Sequence, residues 1–121
     1  MDSFAELVLD QLRGMPAITW RRMFGGWGFY SAGLFFGVVF DDRLYFKTEE
    51  GGREAFRQRG SGPFTYEGGA LHSLWEVPAD VLEDADELAE WAARAVAAAR
   101  AARIEKVRKG SRKRSSAPPE G

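Results

Sequence analysis

The chain has 121 residues, of which 45% are hydrophobic, with no cysteine and one histidine. That length supports a single compact core, while the cysteine and histidine counts exclude disulfides, thiolate chemistry and most metal or general-base designs. The net charge of −1 hides a polarity, because residues 1–99 hold 9 basic and 16 acidic side chains (−7) and residues 100–121 hold 8 basic and 2 acidic (+6).

Such a distribution predicts an acidic globule, residues 1–99, followed by a basic helix extension and tail, residues 100–121, suited to nucleic acid, an acidic protein or the chain's own body. The start of the chain, Met1-Asp2-Ser3-Phe4-Ala5-Glu6, is acidic and lacks signal-peptide form. No stretch approaches the roughly 18 apolar residues of a membrane span. The expected compartment is therefore the cytoplasm.

Taken in chain order, Ser3 and Glu6 read as a capping box, and Phe4, Leu7, Val8 and Leu12 recur on one helical face until Gly14 and Pro16. A first helix is expected over about residues 3–13. From Ala17 the pattern turns to β: Ile18-Thr19-Trp20 leads into Arg21-Arg22-Met23-Phe24-Gly25-Gly26-Trp27-Gly28-Phe29-Tyr30, where three glycines and four aromatics share ten positions. Ser31-Ala32-Gly33 reads as a turn before Leu34–Phe40, and Asp41-Asp42 as a turn before Leu44–Lys47. Short turns imply antiparallel neighbours, since a parallel crossover needs a dozen or more residues.

Thr48 is expected to cap a short second helix to about Arg59, with Gly60 at its exit. A hairpin follows, Pro63–Glu67 pairing across Gly68-Gly69 with Leu71–Val77, where period two puts Leu71, Trp75 and Val77 on one face. Pro78 ends the sheet. Asp84 with Glu87 then caps a last helix whose stripe is Leu88, Trp91, Ala92, Ala95, Val96 and Ala99, running to about Arg108 before a disordered terminus from Gly110. The fold class is two-layer α+β, in the order α-β(3)-α-β(2)-α, with an antiparallel sheet packed against helices.

The motif Arg22-Met23-Phe24-Gly25-Gly26 with Gly28, Tyr30 and Gly33, the strand Leu44-Tyr45-Phe46-Lys47, the stretches Pro63-Phe64-Thr65-Tyr66 and Trp75-Glu76-Val77-Pro78, and Leu88 with Trp91 occur in order. Over about residues 4–99 the chain resembles the TfoX N-terminal domain family, named for a bacterial regulator of natural competence. The resemblance implies this same fold and a non-enzymatic protein. It also implies a link to transcription, the full regulator being thought to act beside the cAMP receptor protein at promoters.

Candidate sites follow from residue chemistry. A phosphate loop needs glycines between a strand and a helix N-terminus, yet more β pattern follows Gly25-Gly26-Trp27-Gly28, so a bulge or tight bend in a strand is expected there. Arg21 and Arg22 fall on opposite strand faces. Arg22 with Lys47, beside Gly25, Gly26 and Gly28, forms a candidate site for a small anion. The ten aromatics from Trp20 to Phe46 exceed the usual needs of one sheet face; plain core is the first expectation for them, an exposed patch for a protein partner or a second copy is what the adaptor reading requires, and stacking on nucleic-acid bases is the remaining alternative. His72 and Glu76 on a strand lie about 13 Å apart, too far for one metal ion.

In the tail, Arg103, Lys106, Arg108, Lys109, Arg112, Lys113 and Arg114 are candidates for phosphate neutralisation. The expected activity is that of a non-catalytic regulatory adaptor contacting protein partners such as the transcription machinery, without cofactor or metal. Small-anion binding and nucleic-acid contact through the tail are the alternatives, and monomer and homodimer remain equally open.

Overall fold

The computed structural model describes residues 1–23 and 25–116, with side chains described through Gly110 except that of Phe24. Helix α1 (Ser3–Gln11) leads to four strands, β1 (Ile18–Met23), β2 (Gly26–Ser31), β3 (Leu34–Phe40) and β4 (Arg43–Lys47). A 3-10 turn (Glu50–Gly52) and α2 (Arg53–Gln58) precede the hairpin β5 (Pro63–Tyr66) and β6 (Gly69–Glu76). The short α3 (Ala79–Leu82) and the long α4 (Ala85–Ser116) follow. The six strands form one antiparallel sheet in the order β1-β2-β3-β4-β6-β5, so the expected α+β architecture is present.

The strand count before the second helix is four rather than three. Met23 pairs with Gly26, so the chain reverses between them, with Gly25 at φ +77°. What was expected as a bend within one strand reverses the chain, because glycine reaches the left-handed region without a Cβ clash. The next two turns use the same chemistry. Ala32 and Gly33 lie at φ 50° and 80°, and Asp41 and Asp42 at 51° and 56°, the pair of positive angles that matches the twist of a two-residue hairpin.

Local capping partly departs from expectation. Asp2, not Ser3, caps α1: its Oδ1 accepts from the Ala5 amide at 2.8 Å, and its charge suits the positive helix end. Asp84 does cap α4, accepting from the Asp86 and Glu87 amides at 3.1 Å. Thr48 caps nothing. Its buried hydroxyl faces the His72 and Ser73 carbonyls at 3.4 and 3.3 Å and accepts from Arg53 Nε at 3.0 Å, a tie between β4, β6 and α2 that no local pattern could announce. Leu71 is exposed rather than core-facing, because the β5–β6 register shifts between Pro63 and Phe64. Helix α4 continues through Gly110 to Ser116 instead of ending near Arg108, since a helix already nucleated on the body propagates through Arg and Lys at little cost.

All four helices lie on one side of the sheet. There Val8, Leu12, Phe29, Phe36, Phe46 and Leu88 are almost wholly buried in a single core with Phe56, Trp75 and Trp91. Phe56 anchors the helices through edge-on contacts with Trp91 at 4.7 Å and Trp75 at 6.1 Å.

A bulge in β3 sets which side chains join this core. Phe29 pairs with Gly37 and Tyr30 with Phe35, leaving Phe36 unpaired. Strict alternation would put Phe36 and Val39 on opposite faces; the extra residue brings both to the helix side. Val38, Phe35 and Phe40 consequently point the other way.

Candidate functional site

The glycine segment is consumed by packing. Strand β2 pairs with β1 on one side and β3 on the other, so its amides serve the ladders and do not converge on a ligand. A Cβ at Gly26 would stand 2.0 Å from the Val39 carbonyl oxygen, and one at Gly28 would stand 2.7 Å from Met23 Sδ. Gly25 occupies the hairpin turn itself.

Arg21 and Arg22 are both exposed on the edge strand β1. Opposite Trp27 in the register, Arg22 holds its guanidinium 5.2 Å from the centre of that ring, on the helix side. Arg21 pairs with Gly28 and alternates to the other face. Lys47 lies at the end of β4 with Nζ 5.8 Å from the Phe35 ring, on the side away from the helices. Three strand spacings, about 14 Å, separate β1 from β4, so Arg22 and Lys47 stand apart on opposite faces and are not brought together around one anion. A cavity of about 220 Å³ between α4 and the β4–α2 segment is lined by Lys47, Phe56, Trp91, Arg94 and Ala98. Arg22 does not reach it.

The side of the sheet without helices carries a second apolar cluster. Val38, Tyr45 and Leu74 are buried at its centre, and Met23, Phe35, Phe40 and Phe64 are half-buried around them. Phe64 meets Tyr45 edge-on at 5.0 Å and Phe40 at 5.7 Å, and Tyr30 contacts Phe35 at 5.6 Å. The surrounding rings cover the centre and leave their own outer surfaces to solvent. Burial, followed by the negative charge of Glu76, pushes the Tyr45 hydroxyl above its usual range. Glu76 is held 3.7 Å from Arg43 at the margin.

The excess of aromatics between Trp20 and Phe46 thus divides between two faces. Phe64, Leu74 and Val38 belong to the open-face cluster without having been singled out from the sequence as site residues; the one available signal was the unbroken apolar run of β3, which reads as a strand covered on both sides. A separate exposed group, Leu7 and Trp20 at 53% and 45%, flanks α1 and the β1 edge.

One further charged group, on α2's C-terminal side, is structural. Arg59 bridges Asp80 and Glu87 and lies over the Trp91 ring at 5.6 Å, and its hydrogen bond to Glu87 raises its pKa further. Among the described residues no group of His, Asp and Glu side chains is arranged to hold a metal ion, and no helix is long and apolar enough to cross a membrane. Residues Arg100–Gly110 of α4 are exposed without exception. Of the candidate tail cations, Arg103, Lys106, Arg108 and Lys109 lie on this exposed helix, while the side chains of Arg112, Lys113 and Arg114 lie outside the described residues.

A search of curated proteins finds no match. The family model described as the TfoX N-terminal domain matches residues 10–99, a span that opens in α1, contains every strand and closes at the last buried turn of α4. By that match the chain belongs to the TfoX N-terminal domain family.

Proposed function

We propose that this protein is a non-catalytic regulatory adaptor, working in the cytoplasm on the transcription machinery and docking its protein partner on the helix-free face of the sheet. The observation that carries the reading is the aromatic cluster there. Val38, Tyr45 and Leu74 supply a buried floor, and Met23, Phe35, Phe40 and Phe64 present half-buried apolar surface with Lys47, Arg43 and Glu76 at the margin. An apolar centre with a charged rim is the anatomy of a protein interface, and aromatic anchors supply most of the energy in such contacts. Membership in a family named for a competence regulator supports the regulatory half of the reading.

The test is binding of the full chain to bacterial RNA polymerase holoenzyme and to the cAMP receptor protein by biolayer interferometry. A Phe35→Ala/Phe40→Ala variant, shown folded by circular dichroism, is expected to lose binding to its partner by about tenfold or more, consistent with about 2 kcal/mol at a hot spot. Binding equal to that of the parent chain, or no binding of the parent to either partner, would remove the reading.

A further inference from the structure

The face of α4 that is buried against the sheet changes chemistry where the helix leaves the body. Leu88, Ala92, Ala95 and Ala99 are buried at spacings of four, three and four. Continuing that helical phase reaches Arg103, Lys106 and Gly110, with Lys109 about 60° from Lys106 on the side away from Arg103. Ile104, at 47% exposure, points about 160° away from Lys106, while Val107, at 64%, lies one turn after Arg103 on its flank. Glu105, the one acidic residue in this stretch, points about 100° away from Lys106 and lies one turn before Lys109, about 40° from it. The apolar stripe therefore becomes a cationic stripe as soon as no sheet remains beneath it.

Among the described side chains, none of Arg100, Arg103, Lys106, Arg108 and Lys109 takes part in an ion pair. These cations are not used to hold the fold. Cations near a helix C-terminus do relieve the helix dipole, but that effect is confined to the final turn, whereas this group begins more than four turns before Ser116.

We propose that the projecting part of α4 is a nucleic-acid-binding arm, whose Arg103–Lys106–Lys109 stripe takes the phosphate backbone of duplex DNA without reading its sequence. The acidic body opposes this only weakly. Asp80, Glu83, Asp84 and Asp86 lie at the far end of the helix, Asp86 preceding Lys106 by about 30 Å; Glu49 is nearer, lining a cavity with Ala98, and Ala98 precedes Lys106 by about 12 Å of helix, more than one screening length of about 8 Å at physiological salt.

The test is fluorescence anisotropy of a labelled duplex of arbitrary sequence, about 24 base pairs long, titrated with the full chain at three KCl concentrations between about 50 and 200 mM. The parent is expected to bind with an affinity that falls steeply with salt, and equally well for a second, unrelated sequence. Arg103→Ala/Lys106→Ala/Lys109→Ala keeps helix propensity; it is expected to weaken binding by about tenfold or more and to flatten the log–log salt slope by about 2.7, since each phosphate that the arm ceases to neutralise removes about 0.9 from the slope. The Phe35→Ala/Phe40→Ala variant is expected to bind DNA like the parent, which separates the arm from the sheet face. No binding at the lowest salt, or an unchanged slope in the triple variant, would overturn the proposal. So would a salt-sensitive dimer in sedimentation velocity that the triple variant abolishes while DNA remains unbound, since the stripe would then serve a second copy's acidic body.

Discussion

Gly26 sits against Val39 so closely that a Cβ on the glycine would come within 2.0 Å of the valine carbonyl oxygen. The obstacle is backbone in a central strand and has no rotamer by which to move aside. Gly26→Ala is therefore expected to cost about 3 kcal/mol, as overpacking into a rigid neighbour does. Gly28→Ala presses on the Met23 thioether at 2.7 Å, a flexible side chain that can yield, and should cost about 1 kcal/mol. Urea unfolding of both variants checks the order, and a Gly26→Ala protein as stable as Gly28→Ala would contradict the packing argument.

The Arg22 guanidinium over Trp27, at 5.2 Å, is a cation–π contact on an edge strand. A double-mutant cycle of Arg22→Ala with Trp27→Leu is expected to return a coupling of about 0.5–1 kcal/mol, the range for exposed pairs. Arg21→Ala with Trp27→Leu should show none, because Arg21 faces the other way. Equal couplings would mean that the edge charges act only through the general field.

Tyr45 ties stability to alkaline pH. Its hydroxyl titrates above the ordinary value near 10 in the folded chain, chiefly through burial. The folded state then holds the proton more tightly than the unfolded state does. The stabilisation from this group is fully present below about pH 10 and is lost as pH rises through the folded pKa. The free energy of unfolding should decline above about pH 10, and Tyr45→Phe should decline less steeply. Parallel curves for the two proteins would show that this hydroxyl contributes nothing to the pH dependence.

Gly110 interrupts an otherwise good helix sequence and has nothing within 4 Å of where a Cβ would be. Gly110→Ala should favour the local helix by about 1 kcal/mol. Ellipticity at the helix band of the circular dichroism spectrum is expected to rise while the urea midpoint stays put, because this part of α4 is exposed and packs on no other element. A shift in the midpoint would reveal contacts between the extension and the body.

Much of the fold was legible in short-range chemistry. Asp41-Asp42 and Ala32-Gly33 announce turns because few residues tolerate positive φ, and the Leu88–Ala99 stripe announces a helix lying on a core. The glycine motif was harder, since Gly25, Gly26 and Gly28 are equally compatible with a bend and with a reversal. Only the pairing of Met23 with Gly26 selects the reversal. For the candidate site, Arg21, Arg22 and Lys47 were visible as cations near glycines, but their separation depends on two intervening strands and on which face each side chain takes.

Periodicity, turn residues and charge thus established the elements, the α+β class and the basic extension, because each depends on contacts within a few residues. The tertiary structure decided what depends on pairing across the chain. It made Phe36 the unpaired residue that sends Val38, Phe35 and Phe40 to the helix-free face, and it drew Thr48 to the β6 carbonyls. It also divided the aromatics between a buried core and an open cluster. A one-residue change of register exchanges the two faces of a strand, and register is fixed by partners that no local window contains.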